Sequence, residues 1–269
     1  QRHIIRPLTL LGITLLAFGP AGCNTKSSVN GGLSVPGSQV DNPDGSGSFI
    51  ADPNNQGLGT KLRLAFDSFS VPPMQSTTYS FTAPHAGTYM YHCHVDTVLH
   101  FARGMYGTII VRPSDGSTDK AWDGGPTFDE EVLWQLSTYQ TSWAILQSSG
   151  GATVRMRPDA FLLNGKENPD AVNDVYSRVE FGAGERAHPR LSQMAYQWAR
   201  VSFGGQPFSV VASDGRPLVN PITATAWELG PGERYDLLLE GFPAGTHTGL
   251  VEYLDDATGA VLGSVETAV

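Results

Sequence analysis

Apolar positions along this chain alternate with polar ones far more often than they recur at helical spacing. Strict alternation over four to eight residues marks a strand with one buried face. Lys61-Leu-Arg-Leu-Ala-Phe66 and Thr77-Thr-Tyr-Ser-Phe-Thr82 follow that rule. So do Thr88 to His92 and Tyr106 to Arg112, with a turn at Ala83-Pro-His-Ala-Gly87 before the first of them. A second run of expected strands covers 131–138, 178–181, 197–203, 208–212, 224–229, 235–240, 249–253 and 261–267. Pro231-Gly232 marks a turn ahead of one of these strands. Helical spacing is sparse, with Thr141 to Ser148 as the one short candidate. Many short strands at close spacing predict a β-sandwich or barrel architecture.

Two stretches fall outside the alternating pattern. Arg2, His3 and Arg6 precede an apolar run from Leu8 to Phe18, which has the length and flanks of an export signal. Pro20-Ala-Gly-Cys23 then resembles a bacterial lipoprotein cleavage site, with Cys23 as the lipid-bearing residue. Residues 24–60 are rich in Ser, Asn, Gly, Asp and Pro and read as a tether. Arg112-Pro-Ser-Asp-Gly-Ser-Thr118 reads as a linker. The expected organisation is therefore 1–23 export segment, 24–60 tether, 61–118 first domain and 119–269 second domain. Such a chain is expected outside the cytoplasm, in a periplasm or at a cell surface, with lipid at Cys23 as its membrane tether.

Composition supports the strand reading. Of the 269 residues, 40% are hydrophobic and only 16% charged, with 31 Gly and 18 Pro to serve turns. The net charge of −9 argues against nucleic acid as a partner. Only two cysteines are present. If Cys23 carries lipid, Cys93 is a lone thiol in an oxidising compartment, where a bound metal would protect it.

The densest chemistry lies in the fourteen residues from His92 to Met105, which hold three imidazoles, one thiol and one thioether. Two His, one Cys and a weak axial Met make up a blue-copper ligand set. Cys93, His100 and Met105 supply three of those four ligands. Side chains alternate along a strand, so His92 and His94 would face away from Cys93, toward a second metal site.

These residues carry a family resemblance. Gly87-Thr-Tyr-Met-Tyr-His-Cys-His94, then His100, then Gly104-Met-Tyr-Gly107, resembles the copper loop of multicopper oxidases and copper nitrite reductases. Phe81-Thr-Ala-Pro84 fits the approach to that loop. Leu163-Asn-Gly-Lys166, Val210-Val-Ala-Ser-Asp-Gly215 and Leu229-Gly-Pro-Gly-Glu-Arg-Tyr-Asp236 resemble a further domain of the same superfamily. The resemblance covers roughly residues 61–269. It implies an all-β fold of tandem cupredoxin-like Greek-key β-sandwiches. It also implies copper, with Cys93, His100 and Met105 as type 1 ligands and His92 and His94 as type 2/type 3 ligands. The implied activity is oxidation of a small-molecule electron donor, with electrons passing to dioxygen or nitrite. A homotrimer is common among two-domain relatives. Asp96, two residues beyond His94, is placed for proton relay.

The chain also departs from the family pattern. No histidine lies between His3 and His85, where the family supplies the remaining ligands. The second domain reads Trp198-Ala-Arg-Val-Ser-Phe-Gly-Gly-Gln206 where a His-x-His pair would stand. The first sandwich is therefore expected to be incomplete. The alternative to an oxidase is a non-catalytic cupredoxin-type module, copper-binding or structural, with a degenerate site. His85, His188 and His247 are expected on the surface, and Glu233 and Asp236 are expected to serve structure.

Overall fold

The structure is a computed structural model. It describes residues 11–16, 37–41, 47–51, 76–81, 83, 85–92, 97–142 and 155–269, the first four ranges by backbone alone. The expected strand at 61–66 and all but the first two residues of the expected helix at 141–148 lie outside these residues.

The chain divides into two compact units. One is Leu8–Pro84, whose described residues form four strands. β1 (Leu11–Leu16) pairs antiparallel with β4 (Ser76–Phe81). β2 (Gly37–Asp41) pairs with β3 (Gly47–Ala51). β1 is drawn from the apolar run that reads as an export signal, and β2 and β3 lie in the stretch that reads as a tether.

The other unit holds residues 85–269. It begins with a hairpin of β5 (Gly87–His92) and β6 (Tyr106–Val111), joined through the short helix α1 (Thr97–Ala102). Ten strands follow: β7 (Glu130–Tyr139), β8 (Ala160–Leu163), β9 (Arg186–Gln193), β10 (Trp198–Phe203), β11 (Phe208–Ser213), β12 (Arg216–Ala224), β13 (Ala226–Leu229), β14 (Arg234–Glu240), β15 (Thr248–Leu254) and β16 (Val261–Ala268). They form a six-stranded sheet, β12-β11-β14-β9-β7-β8, and a four-stranded sheet, β13-β10-β15-β16. The pair β7–β9 is parallel and the other ladders are antiparallel.

The fold follows from alternation. Val132, Trp134 and Leu136 of β7, Leu191 of β9 and Leu237 and Leu239 of β14 point to one face of the larger sheet. They meet Val201 and Phe203 of β10, Val251 and Tyr253 of β15 and Val265 of β16 in one core. Each such side chain taken from water contributes about 1.5–3 kcal/mol, which favours the closed sandwich. Trp134 is fully buried and satisfies its ring N–H by donating to the Ser177 carbonyl at 2.7 Å. Two-residue turns set the register of two edges. Asn164-Gly165 and Asp214-Gly215 have positive φ at both positions, as a type I′ hairpin needs.

The opposite face of the larger sheet is polar, yet the β5–β6 hairpin covers it. Glu131, Arg190, Asp236 and His188 lie on that face, and all are largely or fully buried. β9 is therefore buried on both faces from Ala187 to Gln193. It is a strand that the sequence reading misses. Pro189 argues against a central strand because it cannot donate to a ladder. The recorded β9–β14 pairs indeed skip His188 and Pro189. The strand expected at 178–181 does not form, and Val179 instead packs into the core, donating one backbone bond to Ala268. β8, β12 and α1 are also present without having been expected.

Candidate metal centre

The two ends of the β5–β6 hairpin do different work. At its closed end the stretch from 93 to 105 joins the two strands, and at its open end, the base, lies a buried charge network.

Cys93, His94 and Asp96 lie outside the described residues. His92 ends β5, half-buried, directly across from Tyr106 in the ladder. The His92 ring meets the edge of Phe101 at 5.6 Å and 80°. His100 sits in the last turn of α1. That helix closes with a specific cap. The Gly104 amide donates to the Phe101 carbonyl at 2.9 Å, and the Met105 amide donates to the His100 carbonyl at 2.9 Å. This pair of bonds is a Schellman motif, which needs a left-handed residue at the position Gly104 occupies with φ 88°. The cap places Met105 beside His100 and directly ahead of β6, so the spacing of those two donors follows from local helix physics. Met105 is 43% exposed. Among the described residues no three His, Cys, Asp or Glu side chains converge on one point.

A Cβ on Gly104 meets nothing within 4 Å, so substitution there tests conformation alone. Gly104→Ala should destabilise the loop by about 1 kcal/mol, and Gly104→Asn by less, since Asn tolerates the left-handed region. Hydrogen exchange of the Met105 amide checks this. Equal protection in both variants and the wild type would remove the cap from the account.

None of the other three described histidines joins this loop. His85 is exposed and precedes the far end of β5, roughly 17 Å of strand from His92 at about 3.3 Å per residue. His247 contacts the Pro243 carbonyl at 2.8 Å, after β14. His188, expected on the surface, is fully buried under the hairpin base. Its Nδ1 lies 3.9 Å from Glu131 and its Nε2 lies 3.9 Å from Asp236, and neither nitrogen makes a hydrogen bond among the described residues. Phe128 covers the ring at 4.7 Å. Burial drives its pKa well below the usual histidine value, and Arg190 and Arg112 add to the effect, so the ring is neutral.

The network around His188 pins both strands of the hairpin. Thr88 of β5 donates to Asp236 Oδ1 at 2.5 Å and accepts from Arg190 Nη1 at 2.9 Å. Arg190 also donates to Asp236 Oδ2 at 3.1 Å and from Nε to Glu131 at 2.7 Å. Arg112, just past β6, forms a two-pronged pair with Glu131. Burial pushes the Glu131 carboxyl up, but Arg190 and Arg112 outweigh it and hold the group below the ordinary value. For Asp236 burial prevails over Arg190, and its pKa is raised. Beside this network the Tyr89 hydroxyl donates to the Gly215 carbonyl at 3.2 Å, and a Cβ on Gly215 would overlap the Tyr89 ring. Asp236 thus serves structure, as its place after a turn suggests.

A β-sandwich joined to a hairpin, with His, Cys and Met in the sequence of the connecting loop, has the make-up of a cupredoxin-like copper protein. The comparisons agree. Two multicopper oxidase family models match residues 42–115 and 134–253, together well over half of the chain. This chain belongs to the multicopper oxidase superfamily. It is 30% identical over 175 residues to a laccase of Arthroderma benhamiae, which covers 64% of this chain and 26% of that protein. It is 49% identical over 45 residues to a copper-containing nitrite reductase of Neisseria meningitidis, covering 16% of this chain and 12% of that protein. Among solved structures it is similar to a blue copper oxidase from Nitrosomonas europaea. The TM-score is 0.57 at 26% identity, over 74% of this chain and 60% of that one. The chain thus spans about a quarter of the laccase it matches.

Proposed function

We propose that this protein is a copper-dependent oxidoreductase, oxidising a small-molecule electron donor and passing the electrons to dioxygen or nitrite. The reading rests on one observation, the capped helix that sets His100 and Met105 side by side at the loop holding Cys93. Thiolate, imidazole and thioether are soft to borderline donors and suit copper better than calcium or magnesium. When bound, copper supplies one-electron redox chemistry. Cys93 and His100 are the strong ligands in this reading and Met105 the weak axial one. His92 and His94 serve a second copper, and Asp96 relays protons. Export with lipid at Cys23 and assembly as a homotrimer belong to the same proposal.

A second reading has specific support. His85, His188 and His247 all sit away from the loop, so the described residues supply no further imidazole to complete the ligand set. That favours a non-catalytic copper-binding or structural module.

The test is to add Cu(II) to purified protein with Cys93 confirmed as thiol. An intense blue thiolate-to-copper band with several coppers per chain supports the oxidoreductase. Cys93→Ser is expected to abolish the band entirely. A wild-type protein that binds no copper and shows no band would sink the reading and leave the structural module.

A further inference from the structure

We propose that Tyr196, contributed by the sandwich, is a positioning residue for the metal loop. It fixes α1, and through Phe101 it sets the plane of the His92 ring. The inference rests on the copper reading above only for its spectroscopic arm.

α1 has six residues, far below the length at which a helix holds itself in water. Something outside it must keep it in place. Its C-terminus has the Gly104 cap. Its N-terminal turn is held by Tyr196, whose hydroxyl donates to the Val98 carbonyl at 2.9 Å. The Tyr196 ring packs on Phe101 at 5.7 Å and joins Ala102 and Met156 in a small apolar cluster. Phe101 is 7% exposed and touches three rings among the described residues. They are Tyr196, Tyr106 at 5.0 Å and His92 at 5.6 Å. The edge contact with His92 constrains which way that imidazole turns.

Tyr196 can act this way because its own loop is stiff. The Met194 amide donates to the Leu136 carbonyl at 2.7 Å. Gln193, fully buried, donates from its side chain to the Gln197 carbonyl at 2.9 Å and accepts from the Ala195 amide at 3.2 Å. The Gln197 side chain in turn accepts from the Thr138 hydroxyl at 2.6 Å. Tyr196 is thus carried on a turn bolted to β7, and the sandwich holds the loop at its tip as well as at its base.

The experiment compares wild type, Tyr196→Phe and Tyr196→Ala in the full chain, with and without Cu(II). Without metal, amide exchange of Arg103, Gly104 and Met105 should accelerate about tenfold in Tyr196→Ala and less in Tyr196→Phe. The β10 and β15 amides should be unchanged in both. With Cu(II), the blue band should weaken and shift in Tyr196→Ala, and Tyr196→Phe should restore most of it by restoring the ring contact. Unchanged exchange in Tyr196→Ala overturns the proposal whether or not copper binds. A blue wild type with an identical band in Tyr196→Ala overturns it too. A colourless wild type with accelerated loop exchange in the variant sinks the copper reading and leaves Tyr196 as the loop's anchor.

Discussion

Replacing Arg190 by Met is expected to lower the free energy of unfolding by about 3–5 kcal/mol. Arg190 is fully buried and bonds Glu131, Thr88 and Asp236 at once. Met fills much of the same volume, so little of the cost is a cavity. The cost is that two carboxylates lose their shared cation beneath the hairpin. Glu131 keeps Arg112, and Asp236 keeps only the Thr88 hydroxyl among these partners. Urea denaturation should show the midpoint falling with the slope unchanged. Adding Asp236→Asn to Arg190→Met should cost less than the sum of the two single changes, because the second removes a charge that the first stranded. A loss below about 1 kcal/mol for Arg190→Met would mean the network is too well hydrated to act as described.

The second large effect is a pH dependence set by His188. Its folded pKa lies well below the ordinary value of about 6.5, chiefly through burial. Below that pH the unfolded chain takes up a proton that the folded chain refuses. Stability therefore falls as pH falls, by up to about 1.4 kcal/mol per pH unit. The fall sets in near pH 6.5, where the unfolded ring titrates, and continues down to the lower pKa of the folded ring. Glu131, with a lowered pKa, acts in the same direction but at lower pH. Asp236, with a raised pKa, opposes both, since it gains a proton in the folded state first. The difference between wild type and His188→Leu isolates the ring. No hydrogen bond is lost in that variant, because neither ring nitrogen makes one among the described residues. His188→Leu is expected to be flatter with pH across this window. A wild-type minus variant difference that does not change with pH would show that His188 carries its proton in the fold.

Much of the sandwich was legible in the sequence, because β7, β10, β14 and β15 each show one apolar face. β9 was not. Arg186-Ala-His-Pro-Arg-Leu-Ser-Gln193 mixes a proline with charges, and its polar positions look like a solvent face. They face protein instead, and the covering element lies about a hundred residues earlier, with Thr88 and Arg190 102 positions apart. Alternation reports which face is apolar, and it is blind to what lands on the other one. His188 was misread for the same reason. The expected strand at 178–181 fails because one buried valine is enough to mimic the pattern.

At the candidate site, the donor types and their order were readable, but α1 and the Gly104 cap that sets Met105 were not. Cys93, His94 and Asp96 lie outside the described residues, so their roles stay with the resemblance. Tyr196 carried no signal at all. A single aromatic residue between two buried glutamines has no pattern, and its partner Val98 is 98 positions away.

The distance between Thr88 and Asp236 has a consequence for the order of events in the cell. These two groups, 148 positions apart, clasp the strand that leads to Cys93. At 5–20 residues per second, the ribosome completes Asp236 roughly 7–30 s after Thr88. Throughout that interval the strand before the loop lacks its seat, and contacts this remote are slow to form even once both ends exist. The hairpin is therefore seated late, only after the chain has been made as far as Asp236, and the last third of the protein decides when its strands are locked in place.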